Sequence, residues 1–336
     1  MDDIALASVS HRQSVFDIAA DRMQLPPAII EKDFWVCWLL NRLFSSEPWQ
    51  HSLMFKGGTC LSKVFGLINR FSEDIDLILD WSLIDIDNKT AWEKKSRTKR
   101  DQFNEAVNHK AAQFLEKALL PWLSAGAGLP QLTGMKASMD LFDKLCINVV
   151  YPASYPTGYL NPQIRLEIGP LGDWVPHGNF SIRSYAAEYA PKAFRQPEGN
   201  VRSILAERTF WEKATILHRE AHRTPDQHLP SRQARHYYDL AMLAKSSVKT
   251  RALSDNGLLT EVAKFKEQFY PCPWAKYETA KKGSLRLLPP NHNIDVLRKD
   301  YIAMQDMMFG TAPGFDEIIF ILTELEQEIN VQQVTT

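Results

Sequence analysis

The chain has 336 residues, of which 45% are hydrophobic and 24% charged, and its formal net charge is −1. These values are typical of a soluble globular protein, and the length favours two domains. Because the net charge is close to zero, a nucleic-acid partner would have to bind a local basic patch. The sequence has no signal-peptide pattern and no apolar run of about 18 residues, so we expect a cytoplasmic protein without membrane spans.

The first half of the chain alternates between helical and extended patterns. A helix is predicted after Pro26-Pro27, because a proline at the first helical position loses no backbone hydrogen bond. Apolar runs and alternation predict four strands, and the spacing of apolar residues predicts a long helix. The strands are expected at 52–56, 74–79, 145–151 and 163–168, and the helix at 101–123.

The second half is predominantly helical from residue 195 onward. Helices are predicted at 204–222, 232–246, 257–269 and 296–308, and a last one begins after Pro313-Gly314. The sequence therefore predicts an α+β protein. Residues 1–190 would form a domain with a mixed β-sheet and flanking helices, and residues 191–336 would form a C-terminal helical domain.

Two glycines separate the first predicted strand from a short predicted helix. Gly57 and Gly58 would let the backbone approach a ligand closely, and Thr59 would cap the helix. The unpaired N–H groups at such a helix start favour a phosphate. Ser62 and Lys63 are expected on the solvent side of the helix, within reach of triphosphate oxygens. The alternative is a plain tight turn.

The next predicted strand carries Asp74 and Asp76. Side chains alternate along a strand, so these two carboxylates point to the same face. They repel each other unless a divalent cation lies between them, and nucleotidyl transfer requires such cations. A solvated strand face, or the metal site of a sugar-nucleotide glycosyltransferase, would show the same pair.

The Gly-Gly turn followed by an Asp-x-Asp strand resembles the nucleotidyltransferase superfamily related to DNA polymerase β. Three further segments resemble those of the AbiEii/AbiGii toxin family, which includes MenT-type nucleotidyltransferase toxins. These segments are 31–35, 207–218 around Lys213, and 235–240 around Asp239. They occur in the family's order, so the resemblance extends over nearly the whole chain. It implies a nucleotidyltransferase-type sheet in the first domain.

The resemblance also implies that Lys213 and Asp239 of the helical domain join Asp74 and Asp76 as catalytic residues. The superfamily usually has a third carboxylate on a later strand, and Glu167 is the best candidate for this catalytic and metal-binding position. An Asp is common there, and Glu167 is alternatively a structural partner of the nearby Arg165. Asp239 is alternatively half of a surface ion pair with Arg235, four residues earlier.

Residues between the two motifs are also expected at the nucleotide. Arg70 and Ser72 join Gly57, Gly58, Thr59, Ser62 and Lys63 as the predicted nucleotide-binding set. For Arg70 and Ser72, shaping the loop is the alternative.

The family implies an NTP substrate, Mg²⁺ or Mn²⁺, and a toxin that takes part in abortive infection, a form of phage defence. An RNA acceptor such as the tRNA 3′ end is expected, with blocked translation as the result. Clustered basic residues suit such an acceptor; they are Lys213, Arg219, Arg223, Arg232, Arg235, Lys281, Lys282 and Arg286. A cognate antitoxin, expected to be a transcriptional regulator encoded beside the toxin, would be the protein partner. A small-molecule or protein hydroxyl as acceptor, or a catalytically inactive binding module, are the alternatives.

Overall fold

A computed structural model describes residues 1–47, 49–87, 91–93, 95–155, 161–255 and 257–331. The chain divides into two compact units. Unit 1 comprises Met1–Val64 and Ser72–Ile204, and unit 2 comprises Phe65–Phe71 and Leu205–Thr336. The predicted α+β class is confirmed. The division between the units lies after Ile204, because the chain returns to the sheet of unit 1 for one more strand.

Unit 1 contains a mixed β-sheet, and helices precede and connect its strands along the chain. Its strands are β1 Leu53–Lys56, β2 Asp74–Leu79, β3 Lys136–Met139, β4 Cys146–Val150, β5 Gln163–Gly169, β6 His177–Arg183 and β7 Glu198–Ile204. Within the described residues they form one seven-stranded sheet in the order β3-β4-β5-β2-β1-β7-β6. β2 pairs in parallel with β5 and antiparallel with β1, so it lies inside the sheet.

The described helices of unit 1 range from 4 to 19 residues in length. They are α1 Asp2–Ala5, α2 Val9–Met23, α3 Pro27–Ser45, α4 Trp49–Ser52, α5 Gly57–Lys63, α6 Arg97–Phe114, α7 Leu120–Ser124 and α8 Tyr185–Tyr189. α3 begins at Pro27, as predicted, and packs on β7, α2 and α8. A π-helical turn, Leu115–Leu119, joins α6 to α7, so the predicted helix at 101–123 is two helices with this turn between them.

α3 buries three consecutive charged residues, Glu31, Lys32 and Asp33, among apolar neighbours. A buried charge is stable only when paired or hydrogen-bonded. The Glu31 carboxylate accepts hydrogen bonds from the backbone N–H groups of Ser154 (2.7 Å) and Tyr155 (3.3 Å). Glu31 therefore fixes α3 to the loop that follows β4.

Lys32 and Asp33 contact two other segments of unit 1. Lys32 forms an ion pair with Glu73, which immediately precedes β2. Asp33 accepts a hydrogen bond from the backbone N–H of Tyr185 (2.6 Å), at the start of α8. α3 thus holds the start of β2 and the start of α8 in place.

Three strands, β3, β6 and β7, are absent from the sequence-based prediction. β3 and β6 are the two edges of the sheet, and their side chains are mostly exposed or half-buried, so they lack an apolar pattern. β7 is interior, but two of its buried positions are Gly199, which has no side chain, and Ser203, whose side chain is small and polar. A Cβ on Gly199 would lie 2.8 Å from Asn41 of α3, so close packing requires glycine there.

Unit 2 is helical in its described part. Its helices are α9 Ala206–Ala221, α10 Ala234–Ala244, α11 Ser247–Ser254, α12 Leu258–Phe269, α13 Ile294–Met304 and α14 Phe315–Val331. α9 packs against α10, α11 and α12, and α10 packs against α13 and α14. The predicted apolar stripe of α14 is buried at Phe315, Ile318, Leu322, Leu325 and Ile329.

The short segment Phe65–Phe71 belongs to unit 2 although it lies between α5 and β2 in the chain. The Phe71 N–H donates to Met307 O and the Phe309 N–H donates to Asn69 O, each at 2.7 Å. Strand-like pairing with the segment after α13 therefore fixes the segment Phe65–Phe71.

Among the described residues, no helix is both long and apolar enough to cross a bilayer.

Candidate active site

The turn between β1 and α5 is built around Gly57. Its φ is +82°, a left-handed conformation that side chains other than glycine rarely adopt. A Cβ at this position would lie 1.9 Å from Asp76 Oδ2 and 2.6 Å from Asp76 Cγ. The Asp76 carboxylate therefore lies in the space that a side chain at position 57 would occupy.

α5 begins at Gly57, with Gly58 buried behind it, so the prediction that Thr59 caps the helix was wrong. Thr59 lies inside α5 and is 1% exposed. Its Oγ1 is 2.8 Å from Ser72 Oγ and is also hydrogen-bonded to the carbonyl oxygen of Asp74. The hydroxyl thus connects α5 to the start of β2.

β2 presents its two carboxylates as the alternation predicts. Asp74 and Asp76 are half-buried, whereas Ile75 and Leu77 between and beyond them are fully buried. The two carboxylates therefore lie on the same face of the sheet, beside the Gly57 turn. Farther along this face, Ile78 packs into an apolar cluster, so the face is polar only at the start of the strand.

Glu167 lies on β5 directly beside Asp76 of β2 in the parallel register. Its side chain is on the polar face, because Leu166 and Ile168 on either side are buried. Arg165 Nε donates to Glu167 Oε1 at 3.1 Å. The structural partnership with Arg165 is thus present, and a metal-binding role for Glu167 stays a prediction.

The carboxylates of β2 suit a hard divalent cation. Among the described residues, no group of three or more His, Cys, Asp or Glu side chains is arranged to hold a metal ion. Mg²⁺, however, is commonly held by one or two carboxylates, with substrate phosphates and waters as its remaining ligands. Asp74 and Asp76, with oxygen donors only and the Gly57 space beside them, fit that kind of site.

Lys63 does not lie on the solvent side of α5. Its side chain is 6% exposed and forms a buried ion pair with Asp33 of α3. The ammonium also lies 3.3 Å from the ring centroid of Tyr185. Burial opposes its charge, but Asp33 outweighs burial and raises the pKa of Lys63. Lys63 is therefore committed to anchoring α5, and half-buried Ser62 beside it interacts with the Tyr185 side chain.

Unit 2 brings Arg70, Lys213 and Asp239 together. Arg70 donates to Asp239 through Nε (2.7 Å, to Oδ1) and Nη2 (2.9 Å, to Oδ2), a bidentate pair. Lys213 Nζ lies 2.8 Å from Asp239 Oδ2. The Asp239 side chain is fully buried, so the alternative of a surface pair with Arg235 is wrong.

His236 completes this cluster. Its Nδ1 lies 3.2 Å from Lys213 Nζ. Burial, followed by the positive charges of Lys213 and Arg235, lowers the pKa of His236 well below its usual value, so the ring is neutral near pH 7. Because an ammonium only donates, Nδ1 is the acceptor and the ring proton is on Nε2.

The Lys213 ammonium therefore has a fixed position, with a carboxylate and an imidazole nitrogen as its partners. Such a preorganised cation can offset negative charge that develops on a bound phosphate. The sequence motif around Lys213 contained no sign of His236 as its partner, because that contact depends on how α9 packs on α10. The same holds for the pairing of Arg70 with Asp239, which are 169 residues apart.

The Asp239 network predicts a pH-dependent stability. Burial opposes ionisation of Asp239, but Arg70 and Lys213 outweigh it and lower its pKa. The resulting stabilisation is complete above the unfolded-state pKa, about 3.9, and is lost as pH falls through the lower folded-state value. At pH 7, Asp239→Asn leaves two buried cations without their carboxylate and should lower the free energy of unfolding by about 3–5 kcal/mol.

Urea unfolding at pH 7 and at pH 3 measures this difference, which should shrink at pH 3. Asp316→Asn is the matched control, because Asp316 forms a similar bidentate pair with Arg298 on the surface of the same unit. A control as destabilised as Asp239→Asn, or an equal difference at both pH values, would contradict this interpretation of the network.

The Gly57 turn predicts a specific cost for a methyl group. Gly57→Ala and Gly66→Ala both place a side chain at a positive φ, but a Cβ on Gly66 meets nothing within 4 Å. Gly57→Ala must in addition displace Asp76, so it should lower the free energy of unfolding by about 1–3 kcal/mol more than Gly66→Ala, the usual cost of overpacking. Thermal and urea unfolding of the two variants provide the comparison, and equal losses would show that Gly57 and Asp76 are not in close contact.

Comparison with known proteins identifies a matching family and a solved structure with a similar fold. A sequence model described as "Nucleotidyl transferase AbiEii toxin, Type IV TA system" matches residues 38–320. Among solved structures, the chain is similar to MenT4, a nucleotidyltransferase toxin from Mycobacterium tuberculosis H37Rv, with a TM-score of 0.53 and 15% identity over 98% of this chain and 91% of that one. No curated protein matches the sequence.

At 15% identity, the likeness to MenT4 shows the fold alone. The family model extends over most of the chain, from before the Gly-Gly turn to beyond Asp239. The chain therefore belongs to the AbiEii nucleotidyltransferase toxin family, whose members are the toxins of type IV toxin–antitoxin systems.

Proposed function

We propose that this toxin transfers a nucleoside monophosphate from an NTP to an RNA acceptor such as the tRNA 3′ end, in a Mg²⁺-dependent reaction that blocks translation. The observation that carries the proposal is the position of Asp74 and Asp76. They lie on one face of β2, next to a glycine turn whose missing Cβ makes room for Asp76. Nucleotidyl transfer requires oxygen ligands for metal beside a backbone turn that accepts phosphates.

Within this proposal, Asp74 and Asp76 are the metal ligands, and Glu167 is the third candidate. Mg²⁺, or Mn²⁺ in its place, would neutralise the triphosphate and activate the attacking hydroxyl when bound. The backbone of Gly57 and Gly58 would receive the phosphates. Thr59 and Ser72 hold that backbone against β2 through their paired hydroxyls, so we assign them a positioning role.

For Lys213 we propose a charge-stabilising role in the same reaction. A lysine whose ammonium is fixed by Asp239 and His236 offers a preorganised positive charge to the transferring phosphoryl group. Asp239 then orients Lys213. Arg70 donates two hydrogen bonds to Asp239, so its contribution is to hold Asp239, instead of the direct nucleotide contact expected from sequence. Lys63 and Ser62 likewise anchor α5.

A type IV toxin implies an antitoxin partner. We propose that the antitoxin is a transcriptional regulator encoded beside the toxin gene, and that the pair acts in abortive infection against phage. The acceptor is the least constrained part of the proposal, because a small-molecule or protein hydroxyl would require the same chemistry from unit 1. An inactive binding module would retain only the nucleotide site.

Transfer of label from [α-³²P]NTPs, supplied one at a time with total tRNA and Mg²⁺, tests the proposal. Wild type should label tRNA, and Asp74→Ala/Asp76→Ala should lose at least about 100-fold in rate, the usual cost of one electrostatic stabiliser. Asp21→Ala, which changes an exposed aspartate of unit 1, is the control and should retain the activity.

The products separate the alternatives. Label on a protein or a small molecule, with tRNA unlabelled, would overturn the RNA acceptor and keep the chemistry. The absence of transfer with all four NTPs and either metal would overturn the enzymatic proposal. Transfer that persists in the double variant would exclude Asp74 and Asp76 as the metal ligands.

A further inference from the structure

The basic residues of unit 2 differ in whether a carboxylate of the same unit neutralises their charge. Arg219 and Arg223 both pair with Glu220, at 2.8 Å and 2.6 Å, and the Glu220 side chain is 1% exposed. Lys213 pairs with Asp239. Arg219 and Arg223 therefore neutralise a buried carboxylate, and Lys213 is already assigned to the transferring phosphoryl group, so none of the three is a candidate for a second anion site.

Arg232 and Arg235 behave differently. Neither forms an ion pair with any carboxylate in the part of the chain that the structure describes, and Arg235 Nε is buried without a hydrogen-bond partner. A buried donor without an acceptor is costly, so an anion that supplied an acceptor to Arg235 Nε would be stabilised there. Both arginines lie on the wall of one cavity.

The described residues that line this cavity all belong to unit 2, and the space inside it is about 90 Å³ and open to solvent. In this described part, the wall combines three arginines, one carboxylate and apolar side chains, among them Arg70, Arg232, Arg235, Asp300, Phe71 and Met304. That space is large enough for a few water molecules, or for a group of a few heavy atoms such as a phosphate in their place. The cavity therefore has room for an anionic group, with apolar side chains of the wall beside it.

The charges of the cavity do not cancel. Asp300 accepts hydrogen bonds from the backbone N–H groups of Arg232 (2.8 Å) and Ala234 (2.7 Å), so it fixes the start of α10 and the base of Arg232. Arg70 is offset by Asp239. Among the lining residues that the structure describes, two guanidinium groups thus share the wall with one carboxylate, and the net charge of these residues is positive.

Guanidinium groups suit phosphate oxygens, which they bind through paired N–H donors. The apolar part of the wall, with Phe71 and Met304, suits the sugar or base that adjoins a phosphate in a polynucleotide. The triphosphate of the NTP is already assigned to the Gly57 turn of unit 1. A second phosphate site on unit 2 therefore fits the other substrate.

We propose that Arg232 and Arg235 form a subsite for a backbone phosphate of the acceptor RNA. The inference rests on the proposed function only for the identity of the acceptor as a polynucleotide. The phosphate is bound and is not altered, so the subsite adds affinity and registers the acceptor without taking part in bond making.

Fluorescence anisotropy with a 5′-fluorescein-labelled 12-nucleotide single-stranded RNA, in EDTA and without NTP, tests the subsite apart from catalysis. Arg232→Gln/Arg235→Gln should raise the Kd about tenfold, and the slope of log Kd against log salt should fall by about 0.7 for each lost phosphate contact. Arg235→Lys, which keeps the charge but not the paired donors, should give an intermediate Kd.

Arg298→Gln is the matched control. Arg298 pairs with Asp316 on the surface of unit 2 and does not line the cavity, so the variant has the same change in charge per residue. It should bind the RNA as wild type does. Circular dichroism and thermal unfolding establish that all variants are folded.

Each other outcome would overturn the subsite. These outcomes are RNA binding unchanged in the double variant, an equal loss in Arg298→Gln, or no RNA binding by wild type. The same holds if the double variant weakens Mg·ATP binding while RNA binding is unchanged, because the cavity would then serve the nucleotide. RNA binding that needs both arginines, in a protein that labels no RNA, would keep the subsite and refute the proposed transfer.

Discussion

A charged group removed from water must meet an opposite charge or a hydrogen-bond partner, and this constraint organises both units of the protein. In unit 1 it explains why an otherwise apolar helix, α3, carries Glu31, Lys32 and Asp33. Each reaches a different segment, and together they fix the loop after β4, the start of β2 and the start of α8. In unit 2 it explains why Arg70, Lys213 and His236 converge on or beside Asp239.

The consequence for the candidate site is rigidity. α5 is anchored by the buried Lys63–Asp33 pair and by the Thr59 hydroxyl, so the Gly57 turn has a defined position against β2. Asp74 and Asp76 are then presented on a strand that is paired on both sides. When a charged substrate binds, little free energy is lost in ordering such a site. This preorganisation is the condition for electrostatic catalysis.

The features that were predictable from sequence are those that local patterns encode. Alternation in 74–79 predicted the strand and the common face of Asp74 and Asp76. The family motifs singled out Lys213 and Asp239, which are in contact in the structure, and their catalytic role stays a prediction. Lys63 was misplaced because its partner, Asp33, is distant in sequence, and helix periodicity cannot reveal a buried ion pair. The edge strands β3 and β6 lacked an apolar pattern because little of either strand is buried.

Calorimetric titration with a non-hydrolysable NTP analogue tests the central claim most directly, namely that Asp74 and Asp76 hold the metal that carries the nucleotide. With Mg²⁺ present, wild type and Asp21→Asn should bind the analogue, and Asp74→Asn/Asp76→Asn should lose that binding. Wild type in EDTA should behave as the double variant does. Binding that is equally tight in EDTA, or that survives loss of both carboxylates, would contradict the account.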